Sequence, residues 1–129
     1  GYVKVGLVPG DGGAFWMTRL VGVSRAMELL WTGDFISAQE AEKIGLVNKV
    51  VPAKELEKAT LEFATKVANS PPVCVQMIKR AVYSAYRTHD MRTAMDMISS
   101  HMAIVAEMED HREGIQATIE KRKPIFRGL

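Results

Sequence analysis

The sequence predicts a mostly α-helical chain with minor β structure. Three observations carry this. Apolar residues recur at helical spacing through most of the second half. Helix-start signals, Ser37 with Glu40 and Asp110 with Glu113, stand ahead of such stripes. Only two short runs, Tyr2–Val8 and Leu46–Val51, carry strand character, and each closes at a proline.

The elements follow in order. Tyr2–Val8 alternates loosely and enters a loop at Pro9-Gly10. Asp11 is placed to N-cap a helix over about 12–20. Gly22 breaks that helix, a second runs over about 24–31, and Gly33 suits its end. Ser37-Ala38-Gln39-Glu40 is a capping box for a short helix ending at Gly45. The strand Leu46–Val51 then stops at Pro52. Beyond Pro52, Leu56, Ala59, Phe63 and Val67 mark one helix. Ser70-Pro71-Pro72 reads as an N-cap with proline in the first turn of the next, whose stripe is Cys74, Ile78, Ala81, Val82 and Ala85. Met91, Met95, Ile98, Met102 and Val105 mark a third. Ile115 and Ile119 share a face of the last, which Pro124 and Gly128 end. Residues 1–52 and 53–129 therefore differ in character, the second part being four helices with short connections.

Composition narrows the function. With 47% hydrophobic and 25% charged residues the chain is that of an ordinary globular protein. A net charge of +2 without a basic stripe argues against nucleic acid. No apolar run reaches membrane-spanning length. Cys74 is the single cysteine, so no intrachain disulfide forms, which suits a reducing compartment; a buried helix position explains it more simply than a reactive thiol. His89, His101 and His111 lack metal-ligand spacing, and no metal site is expected. Five of the eight methionines fall between Met91 and Met108, a face suited to packing in a core or between subunits.

The densest local signal is G-L-V-P-G-D-G-G, Gly6–Gly13. Its glycines permit close backbone approach, and the helix behind it offers unpaired N–H groups and a positive dipole end. Three further segments accompany it in order: R-L-V-G-V-S-R-A-M-E-L (Arg19–Leu29), T-G-D-F-I-S-A-Q-E-A-E-K-I-G-L-V-N-K-V-V-P (Thr32–Pro52) and E-G-I-Q-A-T-I-E-K-R-K-P-I-F (Glu113–Phe126). Together they resemble the C-terminal half of the crotonase (enoyl-CoA hydratase/isomerase) superfamily. The resemblance implies that residues 1–52 complete an α/β, ClpP-like catalytic core and that 53–129 form a helical oligomerisation region, giving homo-trimers or hexamers.

It also implies an acyl-CoA substrate, hydration of an enoyl-CoA, and no cofactor beyond the CoA that the substrate carries. The compartment would be the cytoplasm, or the mitochondrial matrix in a eukaryote. Family members stabilise an enolate with two backbone N–H donors. Those donors, most of the CoA surface and one hydratase glutamate belong to the N-terminal half, which this sequence does not include, so the segment alone is expected to be inactive. The second hydratase glutamate falls on Tyr2, a departure, because tyrosine with an ordinary pKa of about 10 does not replace a carboxylate. Asp11 matches the catalytic aspartate of dienoyl-CoA isomerase-like relatives. That match leaves double-bond isomerisation or dienoyl-CoA hydration as the alternative, beside a non-catalytic oligomerisation fragment; simple N-capping also accounts for Asp11. Gly10 falls in the acyl-end wall, and Phe15, Trp16 and Met17 lie near the acyl pocket. Lys121 falls where relatives reach CoA phosphates from a neighbouring subunit, although Thr118 replaces the aromatic nearby. Without the resemblance, Lys121-Arg122-Lys123 reads as a solvated helix end.

Overall fold

A computed structural model describes all 129 residues. The chain forms two compact units, Gly1–Leu56 and Glu57–Leu129.

The first unit opens with a 3₁₀ turn, Tyr2–Val5, followed by the glycine loop and helix α1, Gly13–Thr32. The strand expected over Tyr2–Val8 is absent. Its backbone instead pairs with itself, Lys4 N–H to Gly1 O, Gly6 N–H to Val3 O and Leu7 N–H to Tyr2 O. A lone extended segment has no neighbour for its polar groups, and local turns are the remaining way to satisfy them. This turn packs on α1, with Val3 and Lys4 against Gly33 at the helix end. Gly22 stands at φ 78, ψ 163 and divides α1 into the two helical segments that the sequence predicts. Gly33 ends it in the left-handed conformation, donating to Leu29 O.

Helix α2, Ala38–Lys43, starts where the capping box predicts, and the Ser37 hydroxyl accepts from Glu40 N–H at 3.1 Å. Leu46–Val51 is not a strand. Leu46 and Val47 donate back to Ala41 O, and Val50 N–H donates to the Glu42 carboxylate at 2.9 Å. A second 3₁₀ turn, Ala53–Glu55, leads to the second unit.

That unit holds the four expected helices: α3 Leu56–Ala68, which begins on the last residue of the first unit, α4 Pro72–Arg87, α5 Met91–Ala106 and α6 Glu109–Ile119. Helix α5 packs on α4 and on α6. Two caps differ from expectation. Pro71, not Ser70, precedes α4, and the Ser70 hydroxyl donates to Lys66 O. Asp90 caps α5, accepting from Arg92 and Thr93 N–H.

Asp110 and Glu113 form no capping box, because α6 already begins at Glu109. Both serve the C-terminal tail instead. Asp110, the one buried polar side chain, accepts from Arg127 N–H at 2.7 Å and Gly128 N–H at 2.8 Å. Glu113 accepts from the Arg122 guanidinium and from Ile125 N–H. The tail consequently lies along α6, with the Phe126 ring against Gly114.

Candidate functional site

The site in the first unit is built on the loop between the 3₁₀ turn and α1. Asp11 precedes the formal N-cap, Gly12, by one residue. Its Oδ1 nevertheless accepts from Gly13 N–H at 3.0 Å. This is an Asx turn, which aspartate forms by bonding the backbone two residues on. It meets one of the unpaired donors at the start of α1 and puts the carboxylate at the favourable end of the helix dipole. Glycine at 13 leaves room for this, since a Cβ there would come within 3.0 Å of Pro9 Cβ and 3.1 Å of Asp11 Oδ1, and those neighbours would have to shift by a few tenths of an ångström. The second carboxylate oxygen, Oδ2, accepts from the Tyr2 hydroxyl at 3.4 Å. Gly10 borders open space, with nothing within 4 Å of where a Cβ would stand.

Phe15 and Trp16 follow on the first turn of α1, about half exposed, at 50% and 48%. Their rings meet edge-to-face at 88° with centres 5.0 Å apart. Trp16 packs against Gly12. Arg19 lays its guanidinium over the Phe15 ring at 3.4 Å and donates to Phe15 O at 3.1 Å. Met17 turns elsewhere, into a cavity of about 170 Å³ that Tyr2, Pro9, Leu29, Leu30 and Leu46 also line. The structure thus gathers Asp11, Phe15 and Trp16 around one helix start, beside Gly10.

Lys121 belongs to the second unit, at the end of α6. It is exposed and holds φ 54, the one non-glycine residue in the left-handed region. Lys121 N–H donates to Thr118 O and Arg122 N–H to Ala117 O, the paired bonds of a Schellman ending. Arg122 donates to Glu113 and Glu120. Its hydrogen bonds, with that from Ile125 N–H, hold the Glu113 carboxyl down at about 2. Glu120 is also lowered, first by the Gln116 amide and then by Arg122, and Arg122 is raised in turn by Glu113 and Glu120.

Neither the Tyr2–Asp11 nor the Arg19–Phe15 contact is among the sequence expectations, and only the second has a local signal. Arg19 lies one helical turn beyond Phe15, a spacing at which side chains on one face meet. Tyr2 reaches Asp11 across nine residues of irregular chain, where no period operates.

The family model for enoyl-CoA hydratase/isomerase matches residues 2–128. The chain belongs to the enoyl-CoA hydratase/isomerase family. Among its curated relatives, a probable mitochondrial enoyl-CoA hydratase of Dictyostelium discoideum is 39% identical over 127 residues, covering 96% of this chain and 44% of that protein. A short-chain-enoyl-CoA hydratase of Clostridium acetobutylicum is 39% identical over 121 residues, 94% of this chain and 46% of that protein. Among solved structures, an enoyl-CoA hydratase from Bacillus anthracis superposes with a TM-score of 0.94 at 39% identity, covering 98% of this chain and 49% of that one. The chain therefore spans about half the length of these enoyl-CoA hydratase relatives. Its helical second unit falls within the crotonase-type fold that they share. No helix is long and apolar enough to cross a membrane.

Proposed function

We propose that this chain supplies the C-terminal part of an enzyme acting on enoyl-CoA thioesters, with addition of water across the conjugated double bond as its reaction. The observation that carries this is the 39% identity to hydratase-named proteins over almost the whole chain. In this reading the loop Gly6–Gly13 forms the acyl-end wall of the site, with Gly10 beside the bound thioester. Phe15 and Trp16 shape the acyl pocket. Lys121 contacts CoA phosphates as a point charge. The substrate carries the only CoA, no further cofactor takes part, and the protein works as a trimer or pair of trimers in the cytoplasm or, in a eukaryote, the mitochondrial matrix. A mitochondrial relative is compatible with the latter.

A second reaction on the same substrates is favoured by one observation. Asp11 is the carboxylate held at the start of α1, while Tyr2 occupies the position that a hydratase glutamate has in the resemblance. One carboxylate suffices to take a proton from the α-carbon of a 3-enoyl thioester and return it to the γ-carbon of the resulting dienolate. That proton shift moves the double bond into conjugation and needs no water. In both reactions Asp11 is the proton carrier, acting on carbon next to an enolate that other donors stabilise.

The native assembly, assayed with crotonyl-CoA for loss of the enoyl-thioester absorbance and with a 3-enoyl-CoA for its gain, tests both. Asp11→Asn is expected to lower turnover by about a hundredfold or more, with the helical circular-dichroism signal and thioester binding retained. Unchanged turnover overturns Asp11's role. The 129-residue chain by itself is expected to turn over neither substrate.

A further inference from the structure

We infer that Tyr2 is a positioning residue for Asp11, its hydroxyl fixing the orientation of the carboxylate that moves the proton. The inference rests on the proposed role of Asp11 and adds to it a second residue with a distinct part. Asp11 has two oxygens and the structure gives each its own donor. Gly13 N–H holds Oδ1 at 3.0 Å, and Tyr2 O–H holds Oδ2 at 3.4 Å. One bond alone leaves a carboxylate free to rotate about the χ2 torsion, which is broad for aspartate. Two donors on opposite oxygens remove that freedom.

Tyr2 is itself anchored. It lies in the 3₁₀ turn, its carbonyl accepts from Leu7 N–H at 3.0 Å, and the turn packs on α1. Tyr2 is among the residues that line the cavity shared with Met17, Leu29 and Leu30, and its hydroxyl meets the carboxylate. The O···O distance is long for such a bond, as is common in unliganded sites, where hydrogen bonds shorten when the reacting group arrives. A substrate proton approaching Oδ2 meets an oxygen whose direction Tyr2 has set.

Tyr2→Phe keeps the ring and deletes only the hydroxyl. In the native assembly, kcat is expected to fall about two- to tenfold, the scale of one hydrogen bond to a charged group at long distance. KM for the thioester stays within about twofold, because uniform binding is not touched. Combined with Asp11→Asn, Tyr2→Phe is expected to cause no further loss, because a residue that acts through Asp11 has nothing left to orient. Tyr2→Leu, which removes the ring as well, lowers thermal stability, whereas Tyr2→Phe does not. An Asp11→Asn enzyme that is inactive beside a Tyr2→Phe enzyme with unchanged kcat overturns the inference and leaves the reading of Asp11 intact. Losses that multiply in the double variant overturn it in the same way. An Asp11→Asn enzyme with full turnover overturns the reading itself.

Discussion

Arg122 reaches back from beyond α6 to donate to both Glu113 oxygens, and Ile125 N–H donates to one of them at 2.8 Å. These bonds favour the ionised carboxylate and bring its pKa from 4.5 to about 2. The sign follows. A group whose folded pKa is depressed stabilises the fold fully above its unfolded value, and the stabilisation fades as pH falls through the interval down to the folded value. The attachment of the tail is thus intact above the ordinary glutamate range and weakens as pH falls from 4.5 toward about 2. The Ile125 amide shift, followed by NMR, is expected to titrate near the lower end of that interval, and Glu113→Gln to abolish the titration. Lys121 shows a different residue-scale effect. A left-handed conformation costs an L-residue about 1–2 kcal/mol, offset in part by the greater unfolded-state freedom of glycine. Lys121→Gly is therefore expected to raise the urea unfolding free energy by about 0.5–1 kcal/mol. If Lys121 also serves CoA phosphates, the same change raises KM for the thioester about two- to fivefold, the scale of one exposed ion pair. Stability and binding then move in opposite directions, which simple capping does not produce.

At the scale of elements, Gly22 carries the sharpest constraint. Its φ 78, ψ 163 lies in a region that is essentially glycine-only. Gly22→Ala is expected to cost about 1–3 kcal/mol of stability, read from the thermal midpoint by circular dichroism. The break at Gly22 is legible in the sequence, as are all the helices, because propensity, caps and stripes act within a few residues. The two strands fail for the opposite reason. Strand character in Tyr2–Val8 and Leu46–Val51 becomes structure only beside another strand, and these residues find none. The stripes were legible as helix but not as to which edge is covered. On α5 the half-buried positions are Ala94, Met97, Ile98, His101 and Val105, while Met91 and Met102 stay 78% and 63% exposed. On α4 the covered side is Cys74, Met77, Ala81 and Ser84, leaving Ile78 and Val82 outward. On α6 it is Asp110, Glu113, Gly114 and Ala117, not Ile115 and Ile119. That last face is polar because a tail covers it, and backbone N–H groups need acceptors more than they need methyl groups. The candidate site divides in the same way. Asp11, Phe15 and Trp16 stand out locally, whereas Tyr2's bond to Asp11 depends on how an aperiodic loop closes.

For the whole molecule, the balance of buried and exposed apolar groups is decisive. Ala26, Ala41 and Ala117 are the apolar residues that the chain buries, and no large side chain is fully enclosed. Leu56 and Phe63 of α3, Ile78 and Val82 of α4 and Met91 and Met102 of α5 are each at least 59% exposed. Burying one such side chain contributes about 1.5–3 kcal/mol, so leaving this many in water forfeits more than the few kcal/mol by which domains are stable. Outward stripes of this kind suit burial against another polypeptide surface, such as the proposed trimer or pair of trimers would supply. Light scattering of the native protein is expected to give a mass several times that of one subunit. Ile78→Glu and Met102→Glu, each placing a charge on an outward stripe without altering a half-buried position, are expected to lower that mass while the helical signal is kept. If both variants hold the native mass, those stripes are not the assembling faces. If the unaltered protein runs as a monomer at high concentration, self-association is not what covers them. Loss of helicity together with mass marks a chain whose helices depend on assembly, as expected where amphipathic faces, more than propensity, hold helices in place.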